Sequence, residues 1–365
     1  MTAPADLRFM KRALQLAARR KGWTSPNPCV GAVVVKGGRI VGEGVHRAHG
    51  EPHAEPLALA AAGTKARGAT VYVNLEPCCH VGATPPCVDA IIAAGVKRVV
   101  AAMTDPNPNV NGGGFAKLKR AGIASECGLL EAEARRINED FIKLVTTGRP
   151  FVTLKLAMSL DGKIATRTGE SKWITGAKAR AAAHRLRHEH DAVMVGINTA
   201  LADDPELTCR LPGQHRQPTR VIVDSRARLP LNARCISNSA RTIVAASERA
   251  KPAQLRALSK AGVETITVGV ERVNLLDLMA ALGERNITSV LIEGGGTLAA
   301  SALDAGLIDK VILFIAPMLI GGAESRPGIG GRGVDGLADA WRLRDVRMKR
   351  VGGDWMIEGY VHRPD

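Results

Sequence analysis

Apolar positions at Leu7, Met10, Leu14 and Ala17 recur in steps of three and four residues, a period that predicts a helix capped by Asp6 and ended near Lys21-Gly22. Residues 30–35 and 40–45 are instead runs of β-favouring residues joined by Lys36-Gly37-Gly38, which predicts a hairpin. The alternation continues with a helix over 53–62, a strand over 70–75, a helix over 87–94 and a strand over 98–103. Alternation of this kind predicts an α/β layered sheet. Residues 131–145 predict one closing helix, and Thr146-Thr147-Gly148-Arg149-Pro150 then breaks the pattern.

The rhythm restarts with a buried-strand run at 152–158, a helix over 177–188 and strands at 192–195, 220–224 and 242–246. Helices at 252–261 and 275–283, strands at 263–268 and 289–292, and a helix after Gly296 follow. Residues 310–315 and 341–361 predict two or three more strands. The halves share no repeat, so the expectation is two different domains, 1–147 and 148–365.

Composition supports that expectation: 365 residues, 45% hydrophobic, can bury two cores and exclude disorder. The apolar run 311–320 is interrupted by Pro317 and is far short of the ~20 residues of a membrane span. The N-terminus alternates basic and apolar residues without a secretory core, so a cytoplasmic address is expected. A net charge of +15 suits nucleic acid or anionic small molecules alike, yet five Phe, four Trp and two Tyr leave few platforms for stacking bases. The cysteines number seven (Cys29, Cys78, Cys79, Cys87, Cys127, Cys209 and Cys235), an odd count that points away from a disulfide framework and toward metal or catalytic use.

The strongest chemical signal is His53-Ala54-Glu55 followed by Pro77-Cys78. A catalytic zinc takes three N/S ligands and keeps one position for water, whose pKa falls toward ~7. His53 and Cys78 supply two such ligands; Cys79, His80 and Cys87 are the candidates for the third. Glu55, two residues past a ligand, suits proton transfer, the division of labour found in zinc deaminases.

Ser25-Pro26-Asn27-Pro28-Cys29-Val30-Gly31, Gly44-Val45-His46, Gly50-Glu51-Pro52-His53-Ala54-Glu55 and the run from Glu76 to Cys87 closely resemble the deaminase half of the bifunctional riboflavin-biosynthesis deaminase/reductase family. The resemblance implies zinc ligands at His53, Cys78 and Cys87, a proton shuttle at Glu55, and substrate contacts at Asn27, His46 and His80. This chain departs from the family in two places: Cys79 replaces a usual Ser, and Ala83 replaces a usual Arg or Lys expected to meet the substrate phosphate.

In the second half, Leu291-Ile292-Glu293-Gly294-Gly295-Gly296-Thr297 has the layout of a strand, a glycine loop and a helix start, which can cradle a phosphate. It is not the Gly-x-Gly-x-x-Gly fingerprint of a Rossmann domain. With the blocks 155–165, 169–176 and 196–205 it resembles the reductase half of the same family, a dihydrofolate-reductase-like domain using NADPH. The resemblance implies cofactor contacts at Ala157, Trp173, Thr199, Asp203, Ser225, Gly295, Gly296, Thr297, Leu298, Ala299, Ala300 and Ser301. It implies substrate contacts at Ser171, Leu207, Arg210 and Glu293, with the planar fork of Arg210 suited to a phosphate.

The expected architecture is thus α/β throughout: a cytidine-deaminase-like α/β/α layered domain, then a dihydrofolate-reductase-like domain. The expected enzyme needs Zn2+ and NADPH, acts on a phosphorylated pyrimidine, forms a homo-oligomer and binds neither nucleic acid nor membrane. The competing readings are a nucleic-acid base deaminase and a chain active mainly as the reductase.

Overall fold

The computed structural model describes residues 4–82, 84–108 and 110–362, so Ala83 lies outside the described residues. The chain divides into two units, one up to Gly148 and one from Arg149. The first unit opens with α1 (Pro4–Ala18), β1 (Gly31–Lys36) and β2 (Arg39–Val45). Gly37 and Gly38 join the two strands at φ of 57° and 72°, the left-handed pair that a tight hairpin turn requires. Next come α2 (Ala54–Ala62), β3 (Thr70–Val73), α3 (Cys87–Ala93), β4 (Arg98–Ala101), α4 (Gly113–Arg120), β5 (Ala124–Cys127), α5 (Glu131–Ile137) and α6 (Glu139–Thr147). The sheet order is β2-β1-β3-β4-β5. β1 is antiparallel to β2 and β3, whereas β3, β4 and β5 run parallel, as short helical crossovers demand.

Two expectations fail here. Asp6 does not cap α1, which already includes Pro4; its buried carboxylate instead accepts from Tyr72 Oη and from both Arg98 terminal nitrogens at 3.0 and 2.9 Å. The helix expected over 131–145 is two helices, because Asn138 breaks it. The Asn138 side chain is buried and accepts from Cys29 N at 2.7 Å while donating to Cys29 O at 3.2 Å, so it serves a distant loop instead of a helix face.

The second unit contains β6 (Phe151–Ser159), β7 (Lys163–Ala165), α7 (Ala177–Glu189), β8 (Ala192–Gly196), α8 (Ile197–Asp203), β9 (Thr219–Val223) and β10 (Thr242–Ala246). It continues with α9 (Pro252–Lys260), β11 (Glu264–Thr267), α10 (Leu275–Gly283), β12 (Ser289–Glu293), α11 (Gly296–Asp304) and β13 (Lys310–Ala316). β14 (Arg326–Pro327), β15 (Arg342–Val351) and β16 (Asp354–His362) complete it. The nine-stranded sheet has the order β11-β10-β9-β8-β12-β6-β13-β16-β15. Every pairing from β11 to β13 is parallel, and β16 and β15 add antiparallel strands at one edge. β10 and β12 are buried along their whole length, which explains why they read as unbroken apolar runs. The carboxyl ends of neighbouring β6, β8 and β12 share one sheet end, the position where α/β sheets place ligands.

Two candidate active sites

The first site is organised by the start of α2. His53 is its N-cap residue and Glu55 sits in its first turn, 3% exposed. The helix lies close on β2 because Gly42 and Gly44, two apart on one strand face, have no side chain: a Cβ would fall 2.2 Å from Ala58 O and 2.1 Å from Ala54 O. Cys78 follows β3, and Cys87 is the first residue of α3. Cys87 N donates to Cys78 Sγ at 3.3 Å, fixing the loop between them.

These placements bring His53 Nδ1 to 3.2 Å from Cys87 Sγ and 3.6 Å from Cys78 Sγ. All three donor atoms lie within 4.8 Å of one another. The Cys87 hydrogen bond, outweighing burial, lowers the Cys78 thiol to about 4. Cys87 is pushed up by the same hydrogen bond and by burial. His53 is raised, chiefly by its hydrogen bond to Cys78. Burial, reinforced by the Cys78 charge, raises Glu55 to about 7. One imidazole and two thiols converging beside a buried carboxyl form a donor set that fits Zn2+ with one position open.

Beside the donors is a cavity of about 200 Å³ lined by Asn27, His46, His53, Glu55, Cys78 and His80 among others. Asn27 Nδ2 is 3.1 Å from His46 Nε2, and burial lowers the His46 pKa. Glu76 and Asp105, to which the sequence reading assigned no role, also line the cavity. The Glu76 carboxylate accepts from the backbone N–H groups of Asp105, Gly112, Gly114 and Phe115 at 2.9–3.2 Å, tying the cavity wall to the start of α4. Burial raises Asp105 to about 6.

The second site is a cavity of about 820 Å³. Gly294 and Gly295 leave β12 at φ of 79° and 80° and lead into α11. A Cβ on Gly295 would lie 3.0 Å from Thr199 Oγ1, and one on Gly296 would lie 2.7 Å from Pro327 O. Gly294 to Thr297, which lead into and open α11, line the cavity, a glycine-led helix start whose first backbone N–H groups fit the pyrophosphate of NADPH. Ala157, Ser171, Trp173, Thr199, Asp203, Leu207, Glu293 and Gly295 to Thr297 all line this cavity. Trp173 is 67% exposed, with the Arg180 guanidinium 4.5 Å from its ring centre.

Several residues expected here are elsewhere. Leu298, Ala299 and Ala300 turn into the core, Ser301 is on the solvent side of α11, and the Ser225 hydroxyl accepts from Val273 N at 3.1 Å. None of them is a wall residue of the cavity, and neither is Arg210, whose half-exposed guanidinium donates to Glu206 at 2.9 Å. The wall holds instead five cations with no assigned role in the sequence reading, Lys155, Lys172, Arg180, Arg187 and Arg326, two of which meet Glu293. Arg187, from α7, makes bonds of 2.6 and 2.9 Å to the Glu293 carboxylate, and Lys155 lies 3.8 Å from it. Burial alone would raise Glu293; Arg187 and Lys155 overcome it and hold the group at about 2.

Residues 150–357 match the RibD C-terminal domain family, and residues 4–103 match the cytidine and deoxycytidylate deaminase zinc-binding region. Riboflavin biosynthesis protein RibD of Aquifex aeolicus is 46% identical over 358 residues, covering 98% of this chain and 99% of that protein. The Escherichia coli protein of the same name is 44% identical over 364 residues, covering 96% and 97%.

The chain belongs to the RibD family.

The solved structures agree. Acinetobacter baumannii RibD superposes with a TM-score of 0.91 at 40% identity, over 98% of this chain and 99% of that one. A Thermotoga maritima diaminohydroxyphosphoribosylaminopyrimidine deaminase/5-amino-6-(5-phosphoribosylamino)uracil reductase gives 0.86 at 40% identity, over 99% of both chains. RibD membership makes this chain a bifunctional enzyme of riboflavin biosynthesis acting on a small molecule, with a Zn2+-dependent deaminase and an NADPH-dependent reductase. The bifunctional reading stands over that of a nucleic-acid base deaminase. Among the described residues no helix is long and apolar enough to cross a membrane.

Proposed function

We propose that residues 1–147 deaminate 2,5-diamino-6-ribosylamino-4(3H)-pyrimidinone 5′-phosphate and that residues 148–365 reduce the ribosyl group of the product to ribityl. The observation that carries the first step is the convergence of His53, Cys78 and Cys87 next to buried Glu55 on a cavity wall. His53, Cys78 and Cys87 would hold Zn2+, which when bound activates a water for attack at neutral pH. Glu55 takes the proton released by that water and delivers it to the departing nitrogen, so that the ring C–N bond is replaced by C=O and ammonia leaves. Asn27, His46 and His80 orient the pyrimidine.

NADPH supplies the hydride for the second step, received at C1′ as the sugar opens. Gly295, Gly296 and Thr297 hold its phosphates through backbone N–H groups, with Ala157, Trp173, Thr199 and Asp203 flanking the rest. Ser171, Leu207, Glu293 and Arg210 contact the substrate, and the Arg187 and Lys155 charges keep Glu293 ionised. The exposed Leu343, Val346 and Met348 on edge strand β15 support a homo-oligomer. The same reading has the enzyme cytoplasmic and without a nucleic-acid partner.

The test measures bound zinc, ammonia release and NADPH oxidation for wild type and Glu55→Gln. About one zinc per chain is expected, with ammonia release reduced at least ~100-fold in the variant and reduction of pre-deaminated substrate retained. Wild type that binds zinc and reduces pre-deaminated substrate but releases no ammonia would overturn the deaminase reading.

A further inference from the structure

Among the described residues, the wall of the first cavity carries no lysine or arginine, and the segment from His80 to Cys87 contains none in its sequence. The same wall carries the carboxyls of Glu55, Glu76 and Asp105. A phosphorylated substrate entering there must exchange water for protein donors, and an uncompensated anion in such a site is costly.

One imidazole is set up to answer that need. His49, exposed at the cavity wall, places Nδ1 3.2 Å from Asn27 Oδ1. Asn27 Nδ2 lies 3.1 Å from His46 Nε2, and His46 Nδ1 lies 3.2 Å from the Pro52 carbonyl oxygen. A carbonyl only accepts, so His46 Nδ1 donates to it. The amide nitrogen of Asn27 only donates, so His46 Nε2 accepts; the amide oxygen only accepts, so His49 Nδ1 donates. The chain of bonds therefore runs in one direction and leaves His49 Nε2 outside it. In a neutral ring that atom is a lone pair, which repels a phosphate oxygen. It becomes a donor only by taking up a proton.

We propose that His49 binds the 5′-phosphate of the deaminase substrate through Nε2, acting as a donor in the protonated ring. This rests on the deaminase reading above. The charged groups around the ring do not duplicate the role. Glu76 is occupied by four backbone N–H groups and Asp105 accepts from Asn107 N. Glu55, His53 and Cys78 belong to the donor cluster, and His46 is bonded at both ring nitrogens. Arg47 and Glu51, both exposed on the same loop, carry opposite charges, and His80 faces the cavity from the loop after β3.

The test compares the Michaelis constants of zinc-loaded full-length enzyme for the phosphorylated substrate and its dephosphorylated form. For wild type, the phosphorylated form is expected to be preferred about tenfold, the scale of one charge-assisted hydrogen bond. His49→Ala should lose that preference, and His49→Lys, which restores a cation, should keep it. A preference in His49→Ala equal to wild type would overturn the assignment while leaving the deaminase reading standing. Absence of ammonia release from either form by wild type would bring down both.

Discussion

The two cavities reach their charge by different routes. In the first, the chemistry is local: His53 and Glu55 are two residues apart at one helix start, and Cys87 heads the next helix. In the second, Lys155, Arg187 and Glu293 come from β6, α7 and β12, with 106 residues between the two members of the tightest ion pair. Glycine allows close approach at both. Gly42 and Gly44 let a helix press on a strand behind the first site, and Gly295 and Gly296 let the start of α11 lie against Thr199 and Pro327 at the wall of the second. The contrast teaches that a site whose first reactive groups share one segment announces itself in the sequence, and one assembled across a sheet does not.

The largest effect that would break this comparison is at Glu293. Glu293→Gln leaves Arg187 and Lys155 buried with no anion, and removing one partner of a buried pair costs roughly 3–5 kcal/mol. Hydrogen exchange should show β12 and α7 losing protection while β1 and β2 keep theirs, and NADPH oxidation should disappear with ammonia release intact. Unchanged protection at β12 would mean that the pair contributes no more than a surface one. The pH dependence has a definite sign. Glu293 is held at about 2, below its ordinary value of 4.5, so its stabilisation is present above that ordinary value and is lost as pH falls toward 2. Acid should loosen the second unit across that window in wild type, and Glu293→Gln should lack this component.

A smaller effect tests the packing glycines. Gly44→Ala places a methyl against Ala54 O, which is backbone and can yield only by moving α2. Overpacking of this kind costs about 1–3 kcal/mol, and here it displaces the helix start that carries His53 and Glu55. Zinc content and ammonia release should fall together, with reduction of pre-deaminated substrate unaffected. Gly37→Ala is the control: its Cβ meets nothing within 4 Å, so the left-handed φ alone should cost ~1–2 kcal/mol and leave zinc content as in wild type. Equal zinc loss in both variants would make general destabilisation, not the position of α2, the cause.

How much was legible in the chain follows the same division. The alternating elements, the hairpin turn and the His53-x-Glu55 pair were readable because each is written within about ten residues. The segment Gly113–Arg120 escaped notice because Phe115 and Leu118 are its only large apolar residues, too few to set a period. Asn138 broke a helix that its neighbours favour because its side chain is committed to Cys29, 109 residues away. Asp6 read as a cap because Asp before an apolar period usually is one, and only the fold brings Arg98 to it. Glu76, four residues of whose partners lie beyond residue 104, gives no local sign that it organises the first cavity. Lys155 and Arg187 are likewise ordinary basic residues until β6 and α7 are laid beside β12.

The smallest effect on stability, and the sharpest on assignment, is at Arg210. Its guanidinium is 51% exposed and paired with Glu206 four residues earlier, so Arg210→Ala should cost under ~1 kcal/mol of stability. An exposed fork held by one carboxylate is free to turn toward an arriving phosphate, to which it can give two parallel hydrogen bonds. If it does so, the Michaelis constant for the pre-deaminated substrate should rise about tenfold while that for NADPH holds, the signature of lost uniform binding at one substrate group. An unchanged substrate constant would move the phosphate to the wall cations that meet Glu293, Arg187 and Lys155. Glu293 would then lose part of its counter-charge whenever substrate binds, and its stabilisation by about two charges in the free enzyme would become a competition decided by the ligand.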